Sequence, residues 1–160
     1  ASRPPDVRIH HYFAYGSNMN PARVRSRGLR VRAMHAGRVA GFDLAFDKQS
    51  REHAGTGHAN LVHARDRFAE GVLYELVSEE EIRRMDPFEN APINYTREVV
   101  AVETASGPIH AWTYFANPAV RRPGARPEAA YLAHLLCGRP WLSEDWYARL
   151  AAWPTVEQER

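Results

Sequence analysis

The sequence predicts an α+β domain, a small and mostly antiparallel β-barrel or sheet flanked by α-helices. Three observations carry this expectation. Runs rich in valine, tyrosine, phenylalanine and isoleucine are separated by short turn-forming segments. Helical spacing is confined to a few segments grouped around those runs, not alternating strictly with them. The 160 residues, 44% hydrophobic and 25% charged, suffice for one complete core, so a single domain is expected, with its core at about 10–153 and loose termini.

The first strand is aromatic, His10-His-Tyr-Phe-Ala-Tyr15, and stops at a tight loop, Gly16-Ser-Asn18. Asn20 then supplies an N-cap and Pro21 the first helical position, with Gly28 as the stop, so a short helix spans about Pro21 to Arg27. Arg38 to Asp47 and Asn60 to Ala64 read as strands around a polar, glycine-bearing loop from Gln49 to Gly57. Gly71 to Val77 is a further strand. Ser78-Glu-Glu-Glu81 has the form of a capping box and opens a helix that ends before Pro87. Strands at about Tyr95 to Glu103 and Ile109 to Ala116 flank Thr104-Ala-Ser-Gly-Pro108, which has hairpin chemistry. From Pro127, the apolar residues Ala130, Leu132, Leu135 and Leu136 recur at helical spacing up to Gly138, and Ser143 caps a last helix through about Ala152.

Composition narrows the function. Cys137 is the single cysteine and cannot form an internal disulfide, so a reducing, cytoplasmic location is expected. No apolar run approaches the roughly 20 residues of a membrane span, and Ala1 to Asp6 lacks the apolar core of a secretory signal. Lys48 is the only lysine among 21 basic residues, a bias that resembles codon usage. Arg23, Arg25, Arg27, Arg30, Arg32 and Arg38 concentrate in one stretch. That stretch could meet phosphates, but no aromatic interleaving or binding module accompanies it, so a solvated face is preferred and no nucleic-acid partner is expected. His53, His58 and His63 are spaced so that successive members cannot share a face, and no metal site is expected. Gly55-Thr-Gly57 lacks the last glycine of a dinucleotide loop, and Asn94-Tyr-Thr96 is a sequon at a strand start. Exposed apolar strand surface could support a homodimer.

The loop Tyr15-Gly-Ser-Asn18 joins a strand, a turn and a helix start within a few residues. Such a turn leaves amide N–H groups pointing outward, and glycine at its head widens the backbone choices. It can cradle a carboxylate or an oxyanion, or simply cap a helix.

Tyr12-Phe-Ala-Tyr-Gly-Ser-Asn18 resembles the signature of the γ-glutamylcyclotransferase family, including its γ-glutamylamine-specific and AIG2-like relatives. Asp86-Pro-Phe-Glu89 resembles the segment that carries the family's catalytic glutamate, and Tyr131 resembles a substrate-lining tyrosine. The resemblance covers about Tyr12 to Gly138. It implies a small antiparallel barrel with surrounding helices, no metal or organic cofactor, and release of 5-oxoproline from γ-glutamyl compounds. On this reading Glu89 is catalytic, while Tyr12, Phe13, Ala14, Tyr15, Gly16, Ser17, Asn18, Tyr95 and Tyr131 bind the substrate. Asn90 stands where the family often has glycine, and asparagine tolerates the left-handed conformation best among the other residues.

The chemistry is consistent with that expectation. A γ-glutamyl group carries its own nucleophile, the α-amine, so the enzyme folds the substrate and supplies no attacking side chain. One carboxylate can take the ammonium proton and return it to the leaving amine. Glu89, beyond a helix C-terminus and beside Phe88, is expected to have a raised pKa. Two other readings compete. A non-catalytic protein could use the same cradle for small anions or nucleic acid. A serine hydrolase acting through Ser17 lacks both the second glycine of a nucleophile elbow and a partner histidine.

Overall fold

The structure, a computed structural model, describes residues 8–156. The expectations for Ala1 to Asp6 and for the end of the C-terminal tail at 157–160 lie outside the described residues. The elements are β1 (His11–Ala14), α1 (Pro21–Ser26), β2 (Val31–Gln49), β3 (Gly57–Leu76), β4 (Tyr95–Thr104), β5 (Gly107–Ala116), α2 (Ala129–Leu136) and α3 (Glu144–Ala151), with short 3₁₀ turns between them. The strands form a closed barrel in the order β1-β3-β2-β4-β5. All its ladders are antiparallel except the bridge that closes it, where Tyr12 of β1 pairs in parallel with Trp112 of β5. Closure removes the unpaired strand edges that an open sheet would expose.

The local capping chemistry acts as expected at both ends of the chain. Asn20 Oδ1 accepts from the Ala22 N–H at 3.1 Å, with Pro21 behind it. Ser143 Oγ accepts from the Trp146 N–H at 3.2 Å and starts α3. The β4–β5 hairpin turns at Ala105-Ser106, and Gly107 takes φ 103°, a conformation open to glycine. Phe13, Val39, Val72, Leu73, Tyr74 and Val102, all at 1% exposure or less, belong to the hydrophobic core on the two faces of the barrel wall. Among the described residues no helix is long and apolar enough to cross a membrane.

Three elements differ from expectation, each for a local reason. Asn60–Ala64 and Gly71–Val77 fall in one 20-residue strand, β3, paired on both sides of residues 64–67 with a 19-residue β2 that begins well before Arg38. At about 3.3 Å per residue such a strand would run roughly 65 Å, several times the ~15 Å radius of gyration of a chain this size, so it must bend. Register shifts between Val31 and Ala33, Ala40 and Phe42, and Ala45 and Lys48 supply the bends. The middle of β3, His63 to Phe68, is largely exposed, so its residues show no inward–outward alternation to mark it as strand. The helix expected from Ser78 shrinks to a 3₁₀ turn over Glu81–Arg84. Its capping box does not form because the Glu81 carboxylate is taken by Arg30, accepting from the Arg30 backbone N–H at 3.0 Å and from its guanidinium at 3.3 Å.

The arginine stretch is divided among these elements. Arg30 binds Glu81, Arg32 lies 3.9 Å from Glu75, and Arg38 pairs with Glu103 at 3.0 Å while covering Phe68. The three histidines also separate: His53 lies 3.7 Å from Glu128, His58 stacks on Tyr131, and His63 packs on Phe42.

Barrel closure depends on a close approach at Gly71. A Cβ there would sit 2.4 Å from the Ala14 carbonyl oxygen and 2.8 Å from Phe13 Cζ. Gly71→Ala is expected to destabilise by at least the roughly 1–3 kcal/mol of an overpacked core. Urea unfolding measures this, and a midpoint unchanged from wild type would contradict the packing described.

Candidate active site

The loop after β1 is pinned from inside the barrel. Tyr15 Oη donates to the Tyr114 carbonyl, and Tyr74 Oη donates to the Asn18 carbonyl at 2.6 Å. Residues Ser17–Met19 form a 3₁₀ turn, and fully buried Met19 holds it down. Gly16 has φ −113°, so it is not required for a left-handed turn. It is required for space, because a Cβ would lie 2.9 Å from Ala59 Cβ and 3.4 Å from Tyr131 Oη. Among the described residues, none accepts from the backbone N–H of Gly16, Ser17 or Asn18, which leaves these donors for a ligand.

The segment carrying Glu89 is fixed at both ends. Asp86 Oδ1 accepts from Tyr114 Oη at 2.6 Å and from Arg97 Nε at 2.9 Å. Beyond the turn, Asn117 Nδ2 donates to the Pro92 and Ile93 carbonyls at 2.7 and 2.8 Å. Between these anchors Asn90 takes φ 47°, the left-handed conformation that asparagine tolerates. Glu89 thereby meets the loop. Its Oε1 accepts from Asn18 Nδ2 at 3.1 Å and lies 3.5 Å from Arg27 Nη1. Arg27 also donates to Asn18 Oδ1 at 3.1 Å, and its guanidinium lies 5.0 Å from the centre of the Phe88 ring. Asn18, Arg27 and Glu89 thus form a closed triangle of polar contacts.

The Glu89 carboxyl is pushed above the ordinary carboxylate range chiefly by burial, which the Arg27 charge and the Asn18 hydrogen bond partly offset. The cause differs from the one expected. Only a four-residue 3₁₀ turn precedes this segment, and Phe88, 52% exposed, stacks on Arg27.

These groups line a cleft of about 260 Å³, at the small end of ligand sites, which run from roughly 300 to 1,000 Å³. Tyr12, Tyr15, Gly16, Ser17, Asn18, Glu89, Tyr95 and Tyr131 all face it. Phe13 and Ala14 do not; alternation along β1 turns Phe13 into the barrel core, and the Ala14 carbonyl meets Gly71. Tyr95 Oη donates to the Ala59 carbonyl at 2.9 Å, and Tyr131 Oη accepts from the Ala59 N–H at 2.9 Å, so the two rings frame one wall. Burial pushes Tyr131 up to about 12 and also raises Tyr12, Tyr15 and Tyr95, so the phenols stay neutral.

The sequence did not point to Arg23, Arg27, Lys48, His58, Asn94 or Tyr114, which also line the cleft. Arg23 and Arg27 were hidden in the arginine stretch, and Lys48 in the bias against lysine. Burial, with the charges of Lys48 and Arg23, lowers His58 to about 4 and leaves it neutral. Against Glu89 stand three cationic side chains, Arg23, Arg27 and Lys48. A cleft with one proton-accepting carboxylate, free backbone donors and surplus positive charge suits an anionic substrate undergoing proton transfer.

A family model described as gamma-glutamyl cyclotransferase, AIG2-like matches residues 12–142, a span that includes the loop, Glu89 and Tyr131. Among solved structures, one described as a gamma-glutamyl cyclotransferase superposes with a TM-score of 0.78 at 20% identity, covering 92% of this chain and 89% of that one. An uncharacterized protein from Homo sapiens gives 0.80 at 21%, covering 96% and 93%. A yeast gamma-glutamyl cyclotransferase specific to glutathione gives 0.61 at 15%, covering 90% and 93%. At such identities the likeness is one of fold. No match is found among curated proteins.

The raised carboxyl has a measurable consequence for stability. The folded chain holds the Glu89 proton more tightly than the unfolded chain does. Its contribution to stability is therefore complete below the unfolded carboxyl pKa and is lost as pH rises through the higher folded value. Glutamine mimics the protonated acid and has no such loss. In urea titrations over that window, Glu89→Gln is expected to gain stability relative to wild type as pH rises; parallel profiles would mean that the site does not disfavour the anion.

Proposed function

The chain belongs to the gamma-glutamyl cyclotransferase, AIG2-like family, and we propose that it cyclises the γ-glutamyl group of an amino acid, peptide or amine to 5-oxoproline, with Glu89 as the proton carrier. The observation that carries this reading is the Glu89 carboxylate held by Asn18 and Arg27 in a cleft walled by the Tyr15–Asn18 loop.

In this mechanism the free N–H groups of the loop bind the glutamyl half and fold it so that its α-amine faces its own γ-carbonyl. Ionised Glu89 takes a proton from the α-ammonium. The amine then attacks the γ-carbon, forming the ring C–N bond, and backbone N–H donors face the developing oxyanion. Collapse breaks the bond to the departing nitrogen, which receives the proton from Glu89, and the second proton that the ring nitrogen sheds as it becomes an amide follows by the same carboxylate, so the amine leaves as an ammonium. Bonds and protons balance with no change of oxidation state, so the reaction calls for no redox cofactor. A raised Glu89 pKa suits both halves of the cycle, since a weakly basic carboxylate would be slow to take the proton and a strongly basic one slow to return it. Arg27 partly offsets the burial that disfavours the ionised carboxylate.

Turnover of a panel of γ-glutamyl compounds, scored for 5-oxoproline, tests the activity. Glu89→Gln is expected to lose at least the roughly 10²–10⁴-fold typical of general acid–base catalysis, since one group serves both steps. Asp86→Asn and Glu98→Gln are the controls. Asp86 anchors the segment through Arg97 and Tyr114, and Glu98 is exposed on β4. A dead control beside an active Glu89→Gln would identify a different carboxylate. Absence of 5-oxoproline from every compound would favour a binding protein.

The pH profile supplies a separate check. Wild-type kcat/KM is expected to fall on the acid side as Glu89 protonates, with a midpoint above the ordinary carboxylate range. A midpoint at or below that range would contradict the role.

Ser17→Ala is expected to keep substantial activity, because Ser17 contributes its backbone N–H. A trapped acyl-enzyme in mass spectrometry would instead support covalent catalysis.

A further inference from the structure

Lys48 stands apart from the other cleft residues. It is the only lysine in a chain with 20 arginines, and it is 7% exposed. Among the described residues no carboxylate pairs with it. Of the nearby acids, Asp47 is held by Arg121 at 2.8 Å and Asn60 at 3.0 Å and Glu89 by Arg27, while Glu128, 3.7 Å from His53, and Glu52 line an adjoining hollow without a salt bridge to Lys48. Burial of the side chain and the charge of Arg51 lower its pKa, which Glu89 offsets in part.

The surroundings indicate what would complete it. Lys48 lies opposite His58 in the β2–β3 ladder and lines the cleft with Glu89. It also lines two adjoining hollows, one with Arg51, Thr56 and Tyr131 and with the carboxylates Glu52 and Glu128, the other with Arg51, Asn94 and Val120 and no acidic residue. The cleft therefore continues past Lys48, on a side served by neither Arg27 nor the loop amides. Two more polar atoms there lack partners: Asn94 Oδ1 and Thr56 Oγ1 are both buried without a hydrogen bond. An acceptor, a hydroxyl and an ammonium thus await a ligand group that offers both an N–H and an anion.

We propose that Lys48 is the specificity residue for the departing half of the substrate, binding the carboxylate of a leaving amino acid or peptide while Asn94 accepts from its nitrogen. This inference rests on the cyclotransferase reading and extends it. It names γ-glutamyl amino acids and peptides as the substrate class, in preference to γ-glutamyl amines, whose leaving group offers the N–H without the carboxylate. The glutamyl carboxylate has its own donors in the amides of Gly16, Ser17 and Asn18. A compact ammonium suits a site that closes on one oxygen anion, where the planar fork of arginine needs more room.

The experiment compares γ-glutamylalanine with γ-glutamylalaninamide, which differ only in the leaving carboxylate. Wild type is expected to favour the acid by about 10- to 100-fold in kcat/KM, the worth of a charged hydrogen bond, with the difference mainly in KM. This comparison needs no variant. Lys48→Met, checked for folding by thermal melt, is expected to bring the ratio within a few-fold of one, and Lys48→Arg to restore part of it. A wild-type ratio near one, or a preference for the amide, overturns the proposal. So does an equal loss on both substrates in Lys48→Met, which would assign Lys48 to the glutamyl half. If wild type forms 5-oxoproline from neither compound nor from any other γ-glutamyl compound, the cyclotransferase reading fails and takes this proposal with it.

Discussion

The geometry of the cleft depends on the carboxamide of Asn18. Its Nδ2 donates to Tyr12 Oη at 2.9 Å and to Glu89 Oε1 at 3.1 Å, while its Oδ1 accepts from Arg27 at 3.1 Å. One buried side chain thus joins the strand before the loop, the end of the helix after it, and a carboxylate 71 positions further along the chain. An amide can do this because it presents donors and an acceptor at once. A carboxylate at position 18 would repel Glu89, and an alkyl group would leave all three partners unmatched.

The rest of the fold keeps that junction rigid. Tyr74 in β3 holds the Asn18 carbonyl, and Tyr114 in β5 both accepts from Tyr15 and donates to Asp86. The closed barrel therefore supplies fixed posts on which two irregular segments are hung. Loops positioned by a rigid scaffold commonly carry function, and here each loop is tied to the scaffold by buried phenols. Burial that keeps those phenols neutral also opposes the Glu89 anion. Arg27 partly compensates, leaving a carboxyl raised and yet held beside a cation.

How much of this was legible in the sequence varies with the range of the interaction. The hairpin at Thr104–Gly107, the Asn20 and Ser143 caps and the helix around Leu132 and Leu135 are local, and local chemistry identifies them. The joining of the two halves of β3 across Arg65 and Asp66 is not local, because it shows only in the pairing of the flanking residues, His63 and Phe68, with the same partner strand β2. The fate of Glu81 was also hidden, since its partner Arg30 lies 51 positions away. At the site, the Tyr12–Asn18 motif and Glu89 were recognisable, but periodicity could not separate cleft-facing Tyr12 and Tyr15 from core-facing Phe13. Arg27 had no signature of its own within the arginine stretch. Lys48 did carry a signal, its singularity, but composition alone cannot distinguish a retained functional lysine from codon bias.

The charge pattern of the cleft makes Lys48 more than an isolated oddity. With His58 neutral, Arg23, Arg27 and Lys48 face the single negative charge of Glu89, an excess of two positive charges in a partly buried space. A γ-glutamyl amine, with one carboxylate and one ammonium, brings no net charge to offset that excess. A γ-glutamyl amino acid brings a second carboxylate and a net negative charge. Arg23 Nε is itself buried without a hydrogen-bond partner, so the unfilled donors lie on two sides of the cleft, from α1 and from β2. Lys48 on one side, and the loop amides with Arg23 on the other, match two carboxylates carried on the two halves of one substrate, with the bond to be broken between them. Low local dielectric strengthens such pairing once the substrate excludes water. The same positive field opposes the burial that raises the Glu89 carboxyl, so one set of cations serves both the substrate carboxylates and the proton carrier.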